Sequence, residues 1–347
     1  MTSATPAAFS SAKPQTHSIL LFLAEMRAWL FLALLIACFE IWARAAYSVT
    51  FVGNITNLQS IAVFTVPPLL LALGQTFVVI SSGIDLSVGF IMGLASVVAA
   101  HIANLAADRL GLGPAAGMML AVLAGVAVSL IPGLVNGLLI SILRVPPFIG
   151  TLGMFGVARG AAYLLAGGTT VPVSNPWLAA LGNGRFYGIP IVVIVTVVVA
   201  FLMHYLLSQT RFGQHTYAIG ANRNAAIRAG IDVKRHTRRL YLLSAACAGL
   251  GGALYMARFT AGAAQAGEPL LLDSIAAVVI GGASLFGGSG TISGTVAGAL
   301  VIAVIQYGLV FIGVEPFWQF VAVGVVIIIS VLVDQSQRRL TGGRRDE

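Results

Sequence analysis

The chain has 347 residues, of which 58% are hydrophobic and only 9% charged, with a net charge of +8. A soluble domain carries about 25% charged residues, and a fold this poor in polar groups cannot cover a surface facing water. The short alternating segments of a transmembrane β-barrel are absent, whereas apolar runs of about 18 or more residues recur, each long enough to span the bilayer as a helix.

An all-α integral membrane protein with about ten transmembrane helices is therefore expected. Residues 1–18 are rich in Ser, Thr, Ala and Pro without a clear cleavage site, so the first span is read as an uncleaved anchor. Candidate spans lie near 28–47, 58–80, 86–107, 115–140, 146–166, 188–207, 239–257, 270–286, 291–311 and 316–333. The longest hydrophilic interruption, 208–239, holds Arg211, Arg223, Arg228, Lys234, Arg235, Arg238 and Arg239 against the single acid Asp232. The tail adds Arg338, Arg339, Arg344 and Arg345. The positive-inside rule places both segments in the cytoplasm, and the even number of spans around the loop puts the N-terminus, with Lys13 and Arg27, there too. The division that follows is a cytoplasmic N-terminal segment 1–27, a polytopic domain 28–333 containing the loop 208–239, and a basic cytoplasmic tail 334–347. The positive charge records orientation; membrane lipid is an expected partner and no nucleic-acid role is expected.

Several chemistries lack their residues. Lys13 and Lys234 are the only lysines and neither sits in a G-x-x-x-x-G-K-[ST] loop, so any ATP hydrolysis must come from another subunit. The histidines (17, 101, 204, 215, 236) never show H-x-x-x-H spacing, and no G-x-S-x-G elbow occurs. No catalytic residue, metal site or cofactor is expected. Cys38 and Cys247 are read as small apolar residues of separate spans.

Glycines crowd the spans, as at Gly249, Gly251 and Gly252 or from Gly281 to Gly294, where small residues let helices approach closely. Pro67, Pro68 and Pro132 are expected to break the ladder of their spans. That pattern suits a transporter and static tight packing alike. Asp85, in the glycine-flanked break Ser81 to Gly89, has two readings: a cap of the next helix, or a group on a transport path or hinge. Asn136 either lines a wet path or bonds across helices. Asp273 and Glu268 are placed near the outer surface and solvated, and Arg159 pairs within the bundle or snorkels.

The loop carries Ala218-Ile219-Gly220-Ala221-Asn222 and then Asn224-Ala225-Ala226-Ile227-Arg228-Ala229-Gly230-Ile231. A short helix with Ala-Ala and a following Gly offers a small surface that a partner's groove can approach, and the arginines suit an acidic partner. An ordinary positive-inside loop is the alternative.

Four segments in order resemble the permease subunits of monosaccharide ATP-binding cassette (ABC) importers, the ribose/xylose/arabinose/galactose group. They are Gly74-Gln75-Thr76 leading to Ser82–Gly89; Gly133–Gly137 followed by Val145–Gly153; Ala218–Ile231; and Ile280–Gly282 through Gly287–Thr291 to Gly294. The resemblance implies a homodimer of ten-span subunits with the cobalamin-importer type of permease fold in the bacterial cytoplasmic (inner) membrane. It also implies cytoplasmic ATP-binding subunits and a periplasmic or surface sugar-binding protein. On this likeness Asn224, Ala225, Ala226, Gly230 and Ile231 form the coupling helix, with Asn224 replacing the Glu of the broader Glu-Ala-Ala-x-x-x-Gly motif. Gln75, Thr76, Asp85, Asn136, Thr151 and Gln306 are candidates for the sugar pathway or its hinge. An ion-gradient-driven transporter of a small polar solute is the rival and would rely on Asp85 and Asp273. A channel or receptor would need a pore or a large outer domain, and the longest outer loop, Gly167–Gly188, is too short for one.

Overall fold

The computed structural model describes residues 15–315 and 317–342, with side chains described for 26–315 and 317–332. Lys13, Arg344 and Arg345 lie outside the described residues, as do the side chains of Arg338 and Arg339. Among the described residues thirteen helices follow in order. The first five are α1 (Gln15–Tyr47), α2 (Ile55–Ile80), α3 (Val88–Asp108), α4 (Pro114–Ser141) and α5 (Pro147–Ala166). Then come α6 (Pro176–Asn183), α7 (Ile191–Gln209), α8 (Arg211–Ala221) and α9 (Arg223–Arg228). The last four are α10 (Val233–Phe259), α11 (Leu270–Ile280), α12 (Ile292–Phe311) and α13 (Trp318–Gly342). Two-residue strands add little: β1 (Val171–Pro172) pairs with β4 (Ala261–Gly262), and β2 (Arg185–Phe186) with β3 (Ile189–Pro190), both antiparallel.

Among the described residues eight helices are long and apolar enough to cross a membrane, and Leu270–Ile280 and Trp318–Leu332 are shorter apolar helices. The segments expected to flank the bundle are partly helical: α1 starts within 1–27 and α13 runs on to Gly342. The interruption 208–239 is not an open loop either. Helices α8 and α9 fill it, and α10 begins at Val233, so Lys234, Arg235, Arg238 and Arg239 belong to the first turns of a spanning helix. Asp232 starts that helix by accepting the Arg235 N–H at 2.9 Å.

Helices α2, α3 and α10 form the interior, while α1 and α7 expose most of their surface. Lipid gives apolar helices no reason to associate, so contact area must come from close packing. Helix α10 achieves it with small residues: a Cβ on Gly252 would collide with the Met92 carbonyl of α3, and one on Gly249 with Ser129 of α4. The prolines do not interrupt their spans; α2 continues through Pro67 and Pro68, and α4 through Pro132.

The breaks fall elsewhere. Between α2 and α3 the chain runs without helix from Ser81 to Ser87, and Gly83, Asp85 and Ser87 are buried. The second break follows α10. The expected span 270–286 is only the 11-residue α11, because Gly281 ends it and Gly282 turns at φ +90°. An 11-residue helix is about 16 Å long, about half of a ~30 Å hydrocarbon core. Residues 261–267 make up much of the difference: Gly262 packs on Ser96, and Gly267 on Gly89, so the segment follows α3 for about 10 Å along its axis. The Ala263 N–H finds the Ser96 hydroxyl at 3.2 Å. Irregular backbone survives within a membrane protein only where protein or water satisfies it, and here protein does.

Candidate functional site

The buried break at Ser81–Ser87 is the centre of a polar network. Asp85 Oδ1 accepts the Ser87 N–H at 3.1 Å and the Ser87 hydroxyl at 2.6 Å, while Oδ2 accepts the Ser244 hydroxyl of α10 at 2.9 Å. The Asn136 amide of α4 donates to Ser87 Oγ at 2.8 Å. Gln75 of α2 donates to the Asp85 carbonyl at 3.1 Å and accepts from Ser274 of α11 at 3.3 Å. The Tyr241 hydroxyl of α10 donates to the Ile84 carbonyl at 3.1 Å. Four elements, α2, α4, α10 and α11, are thus tied to one non-helical segment, and Asp85 and Asn136 are 3% and 0% exposed. No cation stands among these partners. A carboxylate in such surroundings is held by short neutral donors, and the side-chain Oδ1 of Asn136 is left without a partner.

Of the residues singled out from the sequence, Gln75, Asp85 and Asn136 come together here. Thr151 of α5 borders the group, with its hydroxyl bonded to its own helix at Pro147 (2.8 Å). Thr76 and Gln306 do not join it. Thr76 pairs with Thr295 of α12 at 2.8 Å, and Gln306 donates to Asp273 Oδ2 at 2.8 Å. Asp273 is a correction: it is 6% exposed rather than solvated at the outer surface, because Gln306 supplies an internal donor, while Glu268 is exposed. Arg159 holds its guanidinium 5.3 Å from the Phe90 ring centroid. Ser87, Ser244, Ser274 and Tyr241 were not anticipated. Ser244, Ser274 and Tyr241 each place a hydroxyl in an apolar stretch, and Ser87 lies in the break beside Asp85.

The second candidate region is the pair α8–α9. Asn222 caps α9, accepting the Ala225 N–H at 2.9 Å. Its far end closes with the Ile231 N–H on the Ala226 carbonyl and the Gly230 N–H on the Ile227 carbonyl, each 3.0 Å. That closure needs a left-handed residue, and Gly230 supplies it at φ +82°. Ala226 is buried against Ile219 and Val233 with Ile231 packed alongside. Asn224, Ala225 and Ile227 face outward, with Ile227 53% exposed.

Helix α8 joins this surface to the bundle. Thr216 meets His236 of α10 at 2.9 Å, and Tyr217 donates to the Gly290 carbonyl at 2.6 Å. Half-burial raises the Tyr217 phenol above its ordinary pKa, so it remains a donor. Gly220 packs directly on the Ile80 carbonyl, and Ser82 bonds the Gly220 and Phe286 carbonyls at 3.2 and 2.9 Å. Helix α8 thus lies between α9 and Ser82, which is three residues before Asp85.

Comparisons with known proteins agree with this architecture. The family described as branched-chain amino acid transport system / permease component matches residues 57–331. The ribose import permease protein of Bacillus subtilis (strain 168) is 39% identical over 270 residues, covering 77% of this chain and 81% of that protein. The fructose import permease protein of Rhizobium meliloti is 36% identical over 278 residues, covering 77% and 74%. The D-allose transport system permease protein of Escherichia coli (strain K12) is 32% identical over 326 residues, covering 94% and 95%. No solved structure matches the chain. The chain is a multi-pass membrane protein of the ABC importer permease family, in the group that contains the monosaccharide import permeases.

Proposed function

We propose that this chain forms the translocation pathway for a monosaccharide, a pentose, hexose or related polyol, and that separate ATP-binding subunits drive it through α9. The observation that carries the coupling role is the outward face of Asn224, Ala225 and Ile227 on a helix capped at both ends and linked by α8 to the Ser81–Ser87 break. Family membership implies ATPase and substrate-binding partners in general; the import names of the relatives support a sugar as the solute.

In the mechanism that follows, nucleotide closes the ATPases and moves α9, and α8 transmits the displacement to Ile80 and Ser82. The Asp85 network ties that break to α2, α4, α10 and α11, so these helices shift with it. Two copies of the chain enclose the path. Helix α5 supports the pairing: Gly153, Gly156 and Gly160 are exposed, and a Cβ on any of them meets nothing within 4 Å, which leaves room for a second backbone. Ten spans with both termini cytoplasmic complete the proposal.

The docking surface is tested by Ile227→Asp. This exposed position should tolerate the change in the folded chain, whereas a partner groove would not accept the charge. Loss of the co-purifying ATP-binding subunit is expected; retention of that subunit together with normal sugar uptake would remove α9 from the coupling role.

A further inference from the structure

The turn between α4 and α5, helix α9 and the first turn of α10 border a half-open cavity of about 600 Å³, a size that holds a small ligand. Arg144, Arg223 and Lys234 line it together with Asp232, Ser141 and a set of aliphatic and proline side chains. Three cations therefore face one acid, and that acid is occupied in capping α10 at the Arg235 N–H. Among the described residues the single ion pair is Arg44–Glu40, so none of the three cations has a carboxylate partner.

Two further observations concern the lining itself. The Ser141 hydroxyl is 1% exposed and has no hydrogen-bond partner, an arrangement that is unfavourable unless something fills the cavity beside it. Arg144 itself holds φ +57°, a conformation that a non-glycine residue adopts at a cost and that clusters at functional sites.

We propose that this cavity binds a phosphate group, carried either by a soluble phosphomonoester or by a phospholipid headgroup. Arginine forks and a lysine around a hydroxyl donor suit phosphate oxygens, and the surplus of positive lining matches a phosphomonoester's charge of about −1.5 to −2. An occupant would tie the α4–α5 turn to α9 and so restrain the helix that the ATPase moves. The restraint rests on the coupling role of α9 proposed above; the binding does not.

The test uses the chain alone, so a failure of the coupling reading leaves its result unaffected. In dodecyl maltoside and phosphate-free buffer, ribose 5-phosphate is titrated by calorimetry, with ribose as the unphosphorylated control. In nanodiscs containing phosphatidylglycerol, native mass spectrometry reads retained lipid. Saturable binding is expected in at least one arm, and the arm that responds identifies the source. R223Q/K234Q should weaken that binding tenfold or more, while R239Q, which removes a charge outside the cavity, leaves it unchanged. Should the double variant fail to fold, Arg144→Gly removes a cation while relieving the left-handed backbone, and binding should again fall. Binding in neither arm, or binding unchanged in the folded variants, overturns the proposal.

Discussion

Replacing Asp85 with Ala tests the buried network where it is most concentrated. The carboxylate accepts from the Ser87 N–H, the Ser87 hydroxyl and the Ser244 hydroxyl, and Ala leaves all three donors facing protein. An orphaned buried polar group costs about 1–3 kcal/mol, but interhelical hydrogen bonds in membranes average about 0.6 kcal/mol because alternative partners are found. Ser244 has such an alternative in the carbonyl one turn back on its own helix, so its loss falls at the low end. The Ser87 N–H has none within a regular helix, since it precedes α3. The sum is about 2–4 kcal/mol, a factor of roughly 30 or more in the folded-to-unfolded ratio. Asp85→Asn keeps the shape and an acceptor for Ser87, and should cost about 1 kcal/mol. Reversible unfolding by mixed-micelle titration with dodecyl sulfate reads both variants against the parent chain. An Asp85→Ala chain within about 0.5 kcal/mol of the parent would lie in the range of an ordinary surface substitution, and would refute the network as drawn.

Three further outcomes follow from the packing. Gly252→Leu should prevent a monodisperse chain from forming, because its side chain meets the Met92 carbonyl and overpacking costs about 1–3 kcal/mol or more. Gly156→Leu should fold normally but run as a monomer in size-exclusion chromatography, since its neighbourhood is open in the single chain; a stable pair would exclude α5 from the interface. Gly230→Ala should cost about 1 kcal/mol from its left-handed backbone alone, with no collision inside the chain, so a complete loss of uptake there would locate the defect at the partner's surface. In a chain carrying C38S/C247S, Arg228→Cys should react with an impermeant maleimide only in inside-out vesicles, and Tyr187→Cys only in right-side-out ones; the reverse pattern would invert the topology.

Hydropathy made the spanning helices legible because a bilayer imposes one length and one composition on each of them. It failed where those constraints lapse. The shortness of α11 was hidden because its apolar run continues past Gly281, and the non-helical residues 261–267, which pack along α3, look like any loop. The true start of α10 was hidden by its basic first turns, which read as loop although long cationic side chains reach water from a helix end. At the site, Asp85 and Asn136 stood out as rare intramembrane polar groups. Ser87, Ser244 and Ser274 did not, since serine is common in packed membrane helices and its role depends on what lies opposite. Asp273 was misplaced for a related reason: its donor, Gln306, lies 33 residues away on another helix. Helix α9 was readable from its Ala-Ala and following glycine, whereas its anchorage through Gly220 to Ile80 required the tertiary fold.

The most direct test of the whole account is uptake by right-side-out vesicles containing this chain with its ATP-binding and sugar-binding partners, supplied with labelled ribose, fructose, galactose and allose in turn. The account predicts accumulation of at least one of these sugars that requires enclosed ATP, persists when the ion gradients are collapsed, and disappears with Ile227→Asp. Accumulation that follows an imposed proton or sodium gradient and is indifferent to ATP would contradict it, and would make Asp85 the coupling group of a different machine.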